Sequence, residues 1–279
     1  MKTKIQHPID AFGILKVSMS GIRAEKLEER IKPTLPFPHR HDFYQIILVS
    51  HGSGTHQIDF DKFSIGKNQV FIMRPGQVHS WKLSKNIKGH VIEFNRDAII
   101  DKGLITRLDN SKQSFNIKDN ELFKFFLGTA KMLEEEFSQG RELYNLCLRG
   151  YLTGLLAQLS RYSLIDGFIY QPHSLIERFQ HLVEDHFREE HRVEFYAKKL
   201  GTGAKSLTMQ VTRALGKSPR SIIQDRFMLE AKRFLAYSNI SISEIGNELG
   251  FEDANYFSRF FRQHQGVTPL HFRKVSTSF

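Results

Sequence analysis

Residues 241–274, SISEIGNELGFEDANYFSRFFRQHQGVTPLHFRK, constrain this chain more than any other stretch. Ser241 and Glu244 stand three apart ahead of an apolar repeat. That is a capping box, in which a Ser hydroxyl and a Glu carboxylate satisfy each other's backbone N–H groups at a helix start. Ile242, Ile245 and Leu249 share one face of that helix. Gly250 can adopt the positive φ that stops a helix and turns the chain, and Phe251 then fills the corner. Asp253 is placed to cap a second helix. Its expected inner face is Tyr256, Phe257, Phe260 and Phe261; its outer face is Ala254, Asn255, Ser258, Arg259 and Arg262. Two short helices about a tight glycine turn make a helix-turn-helix. A small, polar, basic face on the second helix suits a DNA major groove. Helix pairs of this shape also occur in proteins that bind nothing, so geometry alone leaves the function open.

The residue string is more specific. Ile-Gly-x-x-x-Gly-Phe-x-Asp-x-x-Tyr-Phe-x-Arg-x-Phe-x-x-x-x-Gly-x-x-Pro, running from Ile245 to Pro269, resembles the signature of the AraC/XylS family of bacterial transcription regulators. One departure is Gly246, where the family usually has Ala, at a cost of about 1 kcal/mol in helix propensity. The resemblance implies a DNA-binding domain of two helix-turn-helix units joined by a long helix. Amino-terminal to it the family usually carries a cupin-like sensor domain.

A second copy of the unit is visible upstream. VEFYAKKL (193–200) reads as a short helix, Gly201-Thr202-Gly203 as the turn, and Ala204 to Leu215 as the following helix, with Leu207, Val211 and Leu215 inward. Gly216-Lys217-Ser218-Pro219 parallels Gly266-Val267-Thr268-Pro269, each pairing a Ser or Thr cap with Pro in the first turn. The family usually has Ser where this chain has Gly203, and commonly Arg where it has Met209. By family position the groove-facing residues are Lys205, Thr208 and Met209 in the first unit and Ala254, Asn255 and Arg259 in the second. Met209 can contact a thymine methyl, Asn255 suits adenine, and Arg259 suits guanine. Arg259 can equally serve a phosphate or a salt bridge within the domain. Ser218–Ser238, between the units, has helical periodicity and would span about 31 Å. One DNA turn is about 34 Å, so this length permits the units to reach successive major grooves.

Charge agrees with a polyanionic partner. The 279 residues carry a net +10. Between Val193 and Phe279 there are 13 basic and 7 acidic residues, so the excess is densest where the helix-turn-helix units sit. The single cysteine, Cys147, excludes an intrachain disulfide and reads as a small packed hydrophobe. The opening residues lack the apolar core of a signal peptide, and no run approaches 18 apolar residues. A cytoplasmic protein with no membrane partner is expected.

Ahead of residue 119 the texture is β. YQIILV (44–49), THQIDF (55–60), VFIM (70–73) and GHVIEF (89–94) are separated by HGSG (51–54), Gly66-Lys67-Asn68, Pro75-Gly76 and Ser84–Asn86, which argues for a sandwich or small barrel. Asp119–Phe137 and Arg141–Tyr162 read as helices. In the second, Leu148, Leu152, Leu155, Leu159 and Tyr162 form a heptad-like stripe that packs either on its own barrel or on a partner helix in a homodimer. The expected organisation is α+β: a cupin-like β-barrel with flanking helices over residues 1–165 for effector sensing and dimerisation, a linker over 166–173, and an all-α DNA-binding domain with two helix-turn-helix units joined by a long helix over 174–279.

His39-Arg40-His41-Asp42-Phe43-Tyr44-Gln45 and Pro75-Gly76-Gln77-Val78-His79 resemble the two motifs of the cupin superfamily, whose three His and one Glu bind a divalent metal. Gln45 stands at the Glu position, and a neutral amide removes the charge a hard cation prefers, so neither a metal nor a cofactor is expected. His39, His41, Gln45, His79 and Trp81 are instead the candidate effector-binding residues, with a sugar or small aromatic as effector. Structural hydrogen bonding at strand ends is the plainer reading of the same histidines. The expected function is a ligand-responsive, sequence-specific regulator that binds double-stranded DNA, dimerises through residues 141–162 and, if it activates, meets RNA polymerase. It is not expected to be an enzyme. The alternatives are a cupin-type metalloenzyme with a helical tail, or a regulator without a ligand whose barrel only dimerises.

Overall fold

In a computed structural model, residues 21–31, 38–99, 101–163, 174–251 and 253–276 are described. The described residues divide into two compact units, one over 21–163 and one over 174–276. The expected linker at 166–173 lies outside the described residues, as do the first twenty residues.

The amino-terminal unit holds β1 (Ile22–Lys26), β2 (Tyr44–His51), β3 (Gly54–Ile58), β4 (Asp61–Ile65), β5 (Gln69–Met73), β6 (His79–Leu83), β7 (Lys88–Phe94), α1 (Lys102–Asp109), β8 (Ser114–Asn116), α2 (Asn120–Gln139) and α3 (Tyr144–Ser163). The strands form two antiparallel sheets, ordered β1-β7-β2-β5-β8 and β4-β3-β6. The larger sheet is buried on both faces. Side chains alternate along a strand, so in β2 Ile46 and Leu48 join a core with α1–α3, while Ile47 and Val49 join a core with Ile58 and Ile65 of the smaller sheet. Two-sided burial explains why Ile46–Val49 are apolar in succession instead of alternating. Strand β1 came from a stretch with no clear sequence pattern, and α1 and β8 were not anticipated. Burial of Ile22 and Ala24 against β7 holds β1 in place, a tertiary effect that no local periodicity reports.

Helix α2 starts on Asp119, whose carboxylate accepts from the N–H groups of Glu121 and Leu122. Helix α3 settles the leucine stripe. Leu148, Leu152, Leu155, Leu156 and Leu159 are fully buried against the unit's own core, so the heptad-like spacing serves intramolecular packing. Leu143 and Leu146 remain about two-thirds exposed at 66% and 65%, on a different face.

The carboxy-terminal unit is helical: α4 (Leu175–His186), α5 (Val193–Lys199), α6 (Ala204–Leu215), α7 (Pro219–Tyr237), α8 (Ile242–Glu248), α9 (Ala254–Gln265) and α10 (Pro269–Ser276). Ser174 caps α4 by accepting from the Glu177 N–H, and Ser218 caps α7 with Pro219 in the first turn. Two small cores result. Phe179, Val183, Tyr196, Leu207, Val211 and Ile223 bind α4, α5, α6 and the start of α7. Phe227 then faces the second unit, with ring centroids 5.2 Å from Phe251, 5.5 Å from Phe260 and 6.5 Å from Phe257. Helix α7 is therefore shared by both units. Its 19 residues span about 28 Å, slightly shorter than the sequence suggests.

Charge fixes the same joint. Glu230 on α7, 1% exposed, accepts from Arg188, Arg226 and Arg233. Arg226 also lies 3.7 Å from the Phe187 ring centroid, joining α7 to the end of α4.

Candidate nucleic-acid interface and effector site

The two helix-turn-helix units are α5–α6 and α8–α9. Each turns on a positive-φ glycine, Gly201 at 68° and Gly250 at 78°. In the second unit the capping box is complete: the Ser241 hydroxyl accepts from the Glu244 N–H at 3.1 Å, and the Glu244 carboxylate accepts from the Ser241 N–H at 2.6 Å. Gly250 cannot be replaced cheaply, because a Cβ there would lie 2.5 Å from the Arg188 carbonyl oxygen. Asp253 caps α9 through the Asn255 N–H at 2.8 Å. Phe257 and Phe261 are buried as the period requires, and Phe260 is half-buried. Tyr256, expected inside, is 55% exposed. It sits at the edge of the apolar stripe, and the space beneath it is already filled by Phe251, 5.6 Å away between centroids.

Lys205, Thr208 and Met209 are exposed on α6, Met209 to 67%. On α9, Asn255 and Arg259 are exposed and Ala254 is half-buried. Lys205 and Met209, like Asn255 and Arg259, are four residues apart and lie one above the other on their helices. The Thr208 hydroxyl donates to the Ala204 carbonyl at 2.8 Å, leaving its lone pairs outward. A cleft of about 1430 Å³ runs between the two units. Lys205, Thr208 and Met209 border it on one side, Tyr256 and Phe260 on the other, and Arg220 and Gln224 of α7 lie along it. Lys205, Arg220 and Arg259 have no ion pair or hydrogen-bonding partner among the described residues.

In the amino-terminal unit four of the five expected residues, His39, His41, His79 and Trp81, converge, together with His56, which sequence reading missed. His39 and His79 exchange backbone hydrogen bonds at 3.0 and 2.7 Å, and their rings lie 4.4 Å apart. Strand pairing sets His56 opposite Trp81. The His79 ring is 5.1 Å from His41, 5.4 Å from His56 and 5.3 Å from Trp81. His41 Nδ1 lies 2.9 Å from the Phe43 carbonyl oxygen, and its ring stacks on Phe43. Gln45 is opposite Glu93 in the β2–β7 register and donates to it at 2.9 Å. Glu93 also accepts from Arg30, which donates to Glu25 at 2.7 Å. Trp81 is half-buried, with its indole N–H donating to the Arg30 carbonyl at 3.3 Å. Burial pushes His41 and His56 down to about 3 and His79 well below its ordinary value, because charging them would cost desolvation. All three are neutral imidazoles at neutral pH.

His56, Glu93 and Arg30 were the residues missed. His56 had a signal, since it lies two residues before inward Ile58 on an alternating strand. Glu93 had none that pointed at Gln45, because their meeting depends on strand register, and Arg30 reaches Glu93 from the 3-10 turn after β1. Among the described residues no three His, Cys, Asp or Glu side chains are grouped to hold a metal ion. No helix among the described residues is long and apolar enough to cross a membrane.

Two family models match the chain: an AraC-like ligand binding domain over residues 29–146 and a helix-turn-helix domain over residues 196–275. Together they take in well over half of its length. The HTH-type transcriptional activator RhaS of Escherichia fergusonii is 27% identical over 270 residues, covering 92% of this chain and 96% of that protein. Among solved structures, ToxT from Vibrio cholerae covers 93% of this chain and 98% of its own at 15% identity and a TM-score of 0.43. The DNA-binding domain of AdpA, solved with a target DNA, covers 38% of this chain and 95% of its own at 20% identity and a TM-score of 0.35. The family assignment rests on the two sequence matches and on the paired helix-turn-helix units. This chain belongs to the AraC family of transcription regulators, with an amino-terminal ligand-binding domain and a carboxy-terminal helix-turn-helix domain.

Proposed function

We propose that the chain is a sequence-specific regulator that reads duplex DNA with the outer faces of α6 and α9. Lys205, Thr208 and Met209 contact one major groove, and Ala254, Asn255 and Arg259 the next. The observation that carries this reading is the pair of equivalent helices, each anchored by an apolar inner face and each presenting an outward face that makes no ion pair among the described residues. Arg259 donates to guanine and Asn255 to adenine. Titration of full-length protein on its selected site tests the assignment. Arg259→Ala should weaken binding by about 1–3 kcal/mol and relax base choice at one position. Unchanged affinity and unchanged base choice would remove Arg259 from the reading set.

The domain over residues 1–165 is proposed to bind a small effector through His39, His41, Gln45, His79 and Trp81, with residues 166–173 as linker and 174–279 as the DNA-binding domain. A ligand acts on DNA only by favouring one state of the protein over another. We read the protein as a cytoplasmic non-enzyme. Its relatives are named as activators, which favours activation and a contact with RNA polymerase. A homodimer through residues 141–162 uses the exposed Leu146 on α3 and Leu143 just before it, since the leucine stripe is occupied within the unit. Elemental analysis tests the metalloenzyme alternative: stoichiometric iron, manganese or zinc, lost in His41→Ala, would favour it over a pure regulator.

A further inference from the structure

The two helix-turn-helix units are joined twice. The covalent joint is α7, from Pro219 to Tyr237. A helix packed on different cores at its two ends still bends a little along its length. The second joint is loop 187–192, between α4 and α5. By sequence it belongs to the first unit, yet it touches the second directly.

Three contacts make this second joint. The Arg188 carbonyl lies against Gly250, at the turn between α8 and α9, so closely that a Cβ on Gly250 would come within 2.5 Å of its oxygen. The Arg188 guanidinium donates to Glu230 on α7 at 3.0 Å. The His191 ring meets both Phe227 of α7 and Phe251 of the second turn, with centroids 4.9 and 5.5 Å away. Backbone, charge and ring packing therefore act at one place.

The same loop is anchored in the first unit. Phe187 is buried in that unit's core, and the Arg226 guanidinium lies 3.7 Å from its ring centroid. The Tyr196 hydroxyl of α5 donates to the Glu190 carbonyl at 2.7 Å. Arg192 donates twice to the Glu190 carboxylate, at 2.9 and 2.8 Å, which closes the loop on itself. A short loop so held has little slack to absorb a movement of either unit.

Rigidity here bears on DNA. Adding one base pair between two sequence elements moves the second by about 3.4 Å and turns it by about 35° about the duplex axis. A clamp joined only through α7 could follow part of that change. A clamp joined twice resists it, because rocking the second unit would part Gly250 from Arg188 and Phe251 from His191.

We propose that loop 187–192 is a strut that sets the spacing of the two reading helices, with Arg188 and His191 as its positioning residues, and that the protein thereby selects sites by the number of base pairs between their two elements. The inference rests on the two-helix reading above and adds a specificity determinant outside the reading helices.

The test uses full-length protein and duplexes carrying the selected two-element site, with the spacer shortened or lengthened by one and two base pairs, in fluorescence anisotropy titrations. Wild type should lose at least about tenfold in affinity for a one-base-pair change, since base contacts of one element are forfeited. Arg188→Ala combined with His191→Ala removes the charge and ring contacts, while Glu230 keeps Arg226 and Arg233 as donors, so no buried carboxylate is stranded. That variant should lose less than about threefold for the same change, and should bind the native spacing more weakly because its units are no longer pre-set. Ser241→Ala weakens a cap wholly inside the second unit and is the control for simple destabilisation; it should keep the wild-type spacing preference. If the double variant does not fold, Arg188→Ala alone takes its place. Pulsed electron resonance supplies a second measurement, on otherwise wild-type protein labelled at exposed positions through Thr212→Cys and Gln263→Cys in a Cys147→Ala background. One narrow distance between α6 and α9 is expected without DNA. A spacing preference equal in wild type and strut variant, or a broad distance distribution, would overturn the strut and leave the two-element reading standing. Selection of a single undivided element would overturn that reading and the strut with it.

Discussion

Arg259 and Asn255, the side chains proposed to read bases, are exposed on α9. Phe257 and Phe261 anchor α9, and the rest of the helix follows from its period. Replacing Asn255 with Ala should cost about 1–3 kcal/mol of cognate affinity at one base pair, measured by fluorescence anisotropy, with weak effect on nonspecific binding. The buried histidines make a separate prediction. Their folded values lie below the unfolded value of 6.5, so the unfolded chain binds more protons between them. The stability they contribute is complete above about pH 6.5 and is lost as pH falls toward about 3. Each contributes up to about 1.4 kcal/mol per pH unit in that window. Urea unfolding of the amino-terminal unit should therefore shift to lower midpoints from pH 7.5 to pH 5; a flat profile would contradict their burial as neutral imidazoles. At this scale helical spacing showed that Asn255 and Arg259 lie on the exposed face of α9. It misplaced Tyr256, which sits where an apolar stripe meets solvent and where Phe251 has already filled the space.

Single elements carry their own tests. Ser241→Ala removes one arm of a capping box and should cost about 1 kcal/mol in the unfolding of the carboxy-terminal unit. Gly246→Ala should go the other way. An added Cβ would lie 3.4 Å from Phe257 Cβ, an ordinary contact, so the change should gain up to about 1 kcal/mol of helix propensity. Gly250→Ala combines positive φ with a 2.5 Å approach to the Arg188 carbonyl and should cost about 1–3 kcal/mol. Chemical denaturation of the three variants gives the order Gly246→Ala above wild type, then Ser241→Ala, then Gly250→Ala. The helices of this unit were legible because caps, turns and apolar periods agree at each boundary. The stripe on α3 shows the limit of periodicity: the spacing of Leu148, Leu152, Leu155 and Leu159 is the same whether the facing surface is its own sheet or a partner helix, and only the tertiary core decides. In β1 the pairing with β7 decides, and α1 is too short to show a strong period.

Across the molecule, the division of labour follows from where charge and apolar surface are placed. The carboxy-terminal unit carries the denser positive charge, so DNA affinity should fall steeply with salt. The dimer proposed through α3 should appear in light scattering of full-length protein, and Leu146→Glu should halve the mass without unfolding the unit, because that side chain is 65% exposed. The architecture of two domains was legible from motif and texture; the polar residues around Gln45 were legible only in part, since Gln45 meets Glu93 through strand register and Arg30 reaches Glu93 from the 3-10 turn after β1. The most direct measurement is a random-oligonucleotide selection with full-length protein, followed by footprinting. Two short sequence elements centred about 10–10.5 base pairs apart on one face of the duplex are expected, one for each reading helix. Folded protein that enriches no sequence, or only one undivided element, would contradict the account.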